Sequence, residues 1–267
     1  MGKIRITGEK SGAIPWEDRP AGSNDVMWRY SGNPIINRNP NKTADRVFNS
    51  GVLPYGEGYI GIFRGDKLNG KPQLFLGRSD DGLSWHIEDD EIRWVDENNK
   101  SYQPNYAYDP RLVRLGDTFY IIWCTDFSGA ALGLGKTNDF KTFTRLENPF
   151  LPFNRNGVLF PRKINGNYLL LSRPSDNGHT PFGDIFVSES PDLVYWGKHR
   201  KVMSSGGSGW WQDTKIGGGP IPVETDKGWL LIYHGVITTC NGFVYSFGAA
   251  ILDLNDPSKV LSRGAVP

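Results

Sequence analysis

The chain has 267 residues, with 30 Lys and Arg against 29 Asp and Glu, for a formal charge of +1. A chain so near neutrality carries no overall field toward nucleic acid or anionic membrane, and no apolar run approaches a membrane span. Its 33 glycines, 18 prolines and 13% aromatics suit one large all-β domain of short strands and tight turns.

Residues 1–25 are polar and rich in Pro and Gly, an arm long enough to reach a neighbouring copy in a homo-oligomer. The start, Met1-Gly2-Lys3-Ile4-Arg5, has no apolar signal core, so the cytoplasm is the expected compartment. From residue 26 to 267, runs of four to eight strand-like residues alternate with turn clusters such as Ser31-Gly32-Asn33-Pro34 and Asn165-Gly166. No amphipathic helix of more than three turns is predicted.

A two-part signature recurs along these residues. Its first part is a Gly turn leading into an aromatic and an apolar run, as in Gly58-Tyr59-Ile60-Gly61-Ile62-Phe63 and Gly166-Asn167-Tyr168-Leu169-Leu170-Leu171. Tyr59, Tyr120, Tyr168 and Trp229 mark its four copies, 61, 48 and 61 residues apart. The second part is Asp-x-x-x-aromatic, at Asp81 to Trp85, Asp139 to Phe143 and Asp192 to Trp196. Units on this scale bury one face against a neighbour, as propeller blades do. The repeated aspartates read as turn residues capping backbone amides. The tail from Phe247 to Pro257 reads as the outer strand of the fourth unit. Four units either close a ring or leave room for a further blade, since an open ring exposes a sheet edge.

Residues that break the repeat are the candidates for chemistry. Cys124 and Cys240 lie in or beside apolar strands and read as buried free thiols. With no CxxC or HExxH spacing, and His86, His179, His199 and His234 scattered, no metal site is expected. Asp109, in Tyr106-Ala107-Tyr108-Asp109-Pro110-Arg111, is a carboxylate between aromatic rings, a setting that favours the protonated form of a general acid. The plainer reading is an Asp turn with Arg111 as its salt partner. Arg64, Arg162, Lys163, Arg173, Lys215 and His234 stand at comparable ends of other units and together describe a cationic pocket. Gly217-Gly218-Gly219-Pro220 lets backbone come close to a ligand. One acid beside an anion pocket fits sugar transfer to phosphate, because phosphate is already a nucleophile and needs no carboxylate base.

These motifs resemble the mannoside phosphorylases of glycoside hydrolase family 130, most nearly the branch acting on 4-O-β-mannosyl-glucose. The resemblance runs from about Trp28 onward, through Phe48-Asn49-Ser50-Gly51-Val52, Phe63-Arg64-Gly65-Asp66-Lys67, Tyr108-Asp109-Pro110-Arg111, Phe160-Pro161-Arg162-Lys163, Thr214-Lys215-Ile216-Gly217 and Tyr233-His234-Gly235. It implies a five-bladed propeller, with the last blade lacking in these 267 residues. It also implies reversible, inverting phosphorolysis of a β-mannoside, with β-1,4-mannosyl-glucose foremost, to α-mannose 1-phosphate. By the same resemblance Asp109 is the catalytic acid, its proton passing through the mannosyl 3-hydroxyl. Asn49, Ser50 and Arg64 line the mannosyl site, and Arg162, Arg173, Lys215 and His234 hold phosphate. No cofactor is implied; a small β-mannoside and inorganic phosphate are the partners. Two alternatives stay open. An inverting β-mannosidase needs a carboxylate base in place of the cations, and a sugar-binding propeller needs no acid at all. A furanosidase-type site wants three converging acids, and the repeat-breaking residues supply one.

Overall fold

A computed structural model describes residues 3–8, 14–175, 183–206 and 210–267. Each copy of the signature is one sheet, antiparallel throughout except for one parallel pair of strands in the second. The first holds β1 (Ala44–Tyr55), β2 (Gly58–Lys67), β3 (Pro72–Ser79) and β4 (His86–Glu91). The second holds β5 (Trp94–Val95), β6 (Ser101–Tyr102), β7 (Tyr108–Leu115), β8 (Thr118–Asp126), β9 (Ala130–Thr137) and β10 (Phe143–Arg145), in the order β6-β5-β10-β9-β8-β7. The third holds β11 (Asn154–Leu159), β12 (Tyr168–Pro174), β13 (Ile185–Ser190) and β14 (Gly197–Met203). The fourth holds β15 (Lys215–Gly218), β16 (Val223–Thr225), β17 (Gly228–Thr239), β18 (Gly242–Leu252) and β19 (Val260–Arg263). The described residues thus form four propeller-like blades, with β1, β7, β11 and β15 innermost.

The signature aromatics all fall on the second strand of their sheet: Tyr59 on β2, Tyr120 on β8, Tyr168 on β12 and Trp229 on β17. The runs that follow are apolar at consecutive positions because blades stack on both faces of these strands. Ile121, Ile122 and Trp123 are buried, as are Leu169, Leu170 and Leu171. Trp94 stacks on Trp123 with ring centres 4.3 Å apart, while Phe160 meets Trp229 edge-on at 5.2 Å.

The repeated aspartates close the third-to-fourth strand turns. Asp81 Oδ1 accepts from the amides of Leu83 and Ser84 at 2.8 and 2.7 Å, and Asp139 and Asp192 repeat the pattern. These bonds favour the ionised form and lower the Asp81 carboxyl to about 2. Asp253 is a fourth copy that the spacing does not reveal, capping the amides of Asn255 and Asp256. The tail differs from expectation: Phe247–Leu252 belongs to the third strand, β18, and the outer strand is β19.

The cysteines also divide. Cys124 is buried and Cys240 is exposed, because β17 and β18 run on past the sheet and carry Cys240 out at their turn. The arm reaches its own chain. Ile6 bridges Thr225, the Thr7 amide donates to the Glu224 carbonyl at 2.9 Å, and the Asp226 amide donates to the Arg5 carbonyl at 2.9 Å.

Three innermost strands share an irregularity that positions the site. The register breaks between Val47 and Ser50 in β1, between Tyr108 and Arg111 in β7, and between Arg155 and Val158 in β11. Each break lies in the first half of its strand, at the same end of the sheets. Bulges of this kind re-aim side chains, here toward the common axis.

Candidate active site

The β7 bulge places Asp109 in a left-handed conformation, φ 52°, which Asp tolerates better than most residues. Its carboxylate turns toward the first sheet. Asn49 Nδ2 donates to Asp109 Oδ1 at 2.8 Å, and Arg64 Nη1 lies 3.5 Å from the same oxygen. Asp66 holds the other side of the Arg64 fork, at 2.9 Å from Nε and 3.3 Å from Nη2. The guanidinium also sits over the Phe48 ring at 4.8 Å and the Tyr108 ring at 5.5 Å. Ser50 follows Asn49 on β1 and is exposed beside them. The one guanidinium on this side is thus paired with carboxylates of the protein itself.

The other side is cationic. Arg173, on β12, is buried, and its Nη1 lies 3.3 Å from His234 Nε2 on β17. A guanidinium can only donate, so Nε2 accepts and the ring proton belongs on Nδ1. His234 is therefore a neutral member of the group, not a cation. Burial, then the charges of Arg173, Arg111 and Lys215, push its pKa down to about 3. Lys215 opens β15 with its Nζ 4.0 Å from the Phe243 ring centre. Burial lowers its pKa too, and repulsion from Arg173 and Arg155 adds to the effect.

Arg155 is a candidate site residue that motif reading misses. It is the second residue of β11, donates to the Tyr108 hydroxyl, and faces Arg173 and Lys215 closely enough to lower the pKa of both. Arg162 lies at the far end of that inner strand instead. Its guanidinium pairs with both oxygens of Glu224 at 2.8 Å and sits over Trp229 at 4.9 Å. Lys163 is beside it, over the Tyr168 ring. The fold thus groups Arg155, Arg173, Lys215 and His234, and leaves Arg162 out. Arg111 is not the salt partner of Asp109: it bonds that residue's carbonyl, not its carboxylate. His179 lies outside the described residues, among which no group of three or more His, Cys, Asp and Glu could hold a metal.

A signal for Arg155 exists. Phe48-Asn49, Tyr108-Asp109 and Arg155-Asn156 are the same bulge in three blades, each an Asn or Asp ahead of an apolar run. Asn156 has φ 54°, matching Asp109, and its buried Oδ1 has no partner among the described residues. The chain can therefore present a proton donor beside balanced polar groups on one side, and three cations to an anion on the other. Tyr108 spans the two, touching Arg64 with its ring and Arg155 with its hydroxyl.

Comparison with known proteins gives this geometry a family. Residues 7–267 match the profile of glycoside hydrolase family 130, described as beta-1,4-mannooligosaccharide phosphorylase. A beta-1,4-mannooligosaccharide phosphorylase of Ruminococcus albus is 50% identical over 267 residues, covering 97% of this chain and 79% of that one. A 4-O-beta-D-mannosyl-D-glucose phosphorylase of Bacteroides fragilis is 26% identical, covering 90% and 66%. The crystal structure of a beta-1,2-mannobiose phosphorylase from Listeria innocua, with beta-1,2-mannobiose bound, superposes with a TM-score of 0.76. It is 26% identical and covers 90% of this chain and 83% of its own. The chain belongs to glycoside hydrolase family 130.

Proposed function

We propose that the chain cleaves β-1,4-linked mannosides by phosphorolysis with inversion, releasing α-mannose 1-phosphate and the acceptor sugar. The observation that carries this reading is the division of charge. One acid, Asp109, faces three cations, Arg155, Arg173 and Lys215, none of which is ion-paired among the described residues. Uncompensated cations gathered at one place gain most from a multiply charged anion, and phosphate matches guanidinium forks.

In this reading phosphate oxygen attacks the mannosyl C1 as the C1–O bond to the acceptor breaks. Asp109 supplies the proton to the departing oxygen, relayed by the sugar 3-hydroxyl, and is reprotonated from hydrogen phosphate or water. Asn49, Ser50 and Arg64 hold the mannosyl group. Phosphate serves as co-substrate. An inverting hydrolase would need a carboxylate base about 6.5–9.5 Å from the acid to activate water. Among the described residues no carboxylate figures among the groups perturbing Arg173, Lys215 or His234.

The identity of 50% to a mannooligosaccharide phosphorylase favours mannose as the acceptor sugar, with β-1,4-mannosyl-glucose as the second substrate to test. The five-bladed ring is part of the proposal, the four described sheets being four of its blades. The cytoplasm is the proposed compartment, and assembly into a homo-oligomer remains a proposal alongside it.

The test is sugar release from β-1,4-mannobiose and β-1,4-mannosyl-glucose, with and without inorganic phosphate, resolving mannose 1-phosphate from mannose. Phosphate-dependent mannose 1-phosphate is expected. Free mannose at a rate indifferent to phosphate would overturn the reading in favour of hydrolysis.

A further inference from the structure

Arg111 belongs to neither half of the site, yet lies between them. It is 9% exposed, and all four of its hydrogen-bond acceptors are backbone carbonyls. Nη1 donates to Asp109 at 3.0 Å and Pro110 at 3.1 Å on its own strand. Nη2 donates to Gly218 at 3.3 Å, and Nε donates to Gly219, both at the end of β15 in the fourth sheet.

The acceptors on the fourth sheet are shaped for this approach. A Cβ on Gly218 would meet Val158 Cγ2 at 2.7 Å, and one on Gly219 would meet the Ile232 carbonyl at 2.8 Å. Only glycines let those carbonyls stand where the guanidinium reaches them. Burial lowers the pKa of Arg111, opposed by the Asp109 charge, and Arg111 in turn depresses His234. Its charge is thus felt on both sides of the axis. A buried guanidinium with only carbonyl partners is a poor way to gain stability, since an apolar side chain of similar volume avoids the desolvation. It is a good way to fix geometry, because the planar fork sets the directions of several bonds at once.

We propose that Arg111 is the positioning residue of the reaction, a brace holding the Asp109 peptide in its left-handed turn and tying it to Lys215–Gly219. The role rests on the phosphorylase reading. One side chain then sets the separation between the proton donor and the strand that opens with Lys215. Loosening the brace displaces the acid and the phosphate relative to each other, so kcat and the KM for phosphate change together.

The experiment compares R111K and R111A with wild type, and with R263K as a structural control. Arg263 likewise ties several groups, Tyr233, Ser204 and Gln212, but away from the site. Rates are measured across phosphate and mannoside concentrations, with thermal melting alongside. R111K is expected to fold and to lose about 100-fold in kcat, as a displacement near 1 Å would cause, with a raised KM for phosphate. R263K is expected to lose melting temperature while keeping both kinetic constants. Guanidinium ion, well below denaturing concentration, should restore part of the R111A rate. If R111A does not fold, R111K decides the matter alone. An R111K enzyme with wild-type kcat and KM below its melting point overturns the proposal and leaves the phosphorylase reading intact. Wild type without phosphate-dependent turnover overturns that reading, and this proposal with it.

Discussion

The two halves of the site both draw on bulged inner strands, β1 and β7 on one side and β11 on the other, but differ in how their charges are settled. On the first and second sheets, Arg64 is shared between Asp66 and Asp109, and Asn49 completes the acid's hydrogen bonding. On the third and fourth, Arg155, Arg173 and Lys215 meet aromatic rings, carbonyls and a neutral imidazole. A half whose one guanidinium is already paired within the protein can receive an uncharged sugar without needing a counter-ion. A half with surplus positive charge is incomplete until an anion arrives. In the proposed reading the sugar therefore belongs to the first side and phosphate to the second.

The comparison breaks most sharply at Asp109. Asp109→Asn preserves shape and the Asn49 contact but cannot give up a proton, so kcat should fall about 10²–10⁴-fold. Binding of the mannoside, measured calorimetrically, should persist; substantial turnover in D109N would remove the acid from the mechanism.

Next comes the cationic half. Lys215→Met should raise the KM for phosphate about 10–100-fold, the scale of a lost bond to a charged group. Melting without phosphate should hold or rise, because repulsion with Arg173 and Arg155 is relieved. Asp66→Asn should do the reverse, lowering the melting temperature by leaving Arg64 with a weaker partner. If both variants destabilise the free protein alike, the contrast between balanced and surplus charge is wrong.

His234 gives a pH test. Its pKa is about 3 when folded and near 6.5 in an unfolded chain, so between these values the unfolded state binds more protons. Its contribution to stability is complete above about pH 6.5 and is lost as the pH falls toward 3. Urea unfolding of His234→Asn should show a flatter slope over that window than wild type.

The smallest effect is expected outside both halves. Asp81, with its pKa near 2, keeps its turn bonds above the ordinary carboxylate range and loses them only as the pH falls through about 2. Asp81→Ala should lower the melting temperature slightly at neutral pH and leave kcat unchanged. A kinetic change there would mean that the repeated turns communicate with the axis.

Much of the fold was legible because its signals are local. A Gly turn, an aromatic and a run buried on both faces mark each second strand wherever they occur. The Asp-x-x-x-aromatic turns are settled by hydrogen bonds across two or three residues. Asp253 escaped notice because Pro257, not an aromatic, stands four residues on, although its amide bonds are the same. The tail was placed one strand too far out because β17 and β18, 12 and 11 residues, are longer than the second and third strands of the other sheets.

The sequence alone determined the chemistry available: an acid set between aromatic rings, a set of cations at strand ends, and glycines where backbone must approach. Such residues declare themselves by type and by breaking a repeat, and these are properties of the chain. Which cations work together was decided by the tertiary structure. Arg155 and Arg162 lie seven positions apart around one inner strand, at opposite ends of a blade. The bulge at Arg155 turns its side chain to the axis, while Glu224 captures Arg162 at the other face. Arg111 is the same lesson in the other direction, a presumed salt partner that reaches across to another sheet. Long side chains can satisfy several partners from one backbone position, and only the packed sheets choose among them.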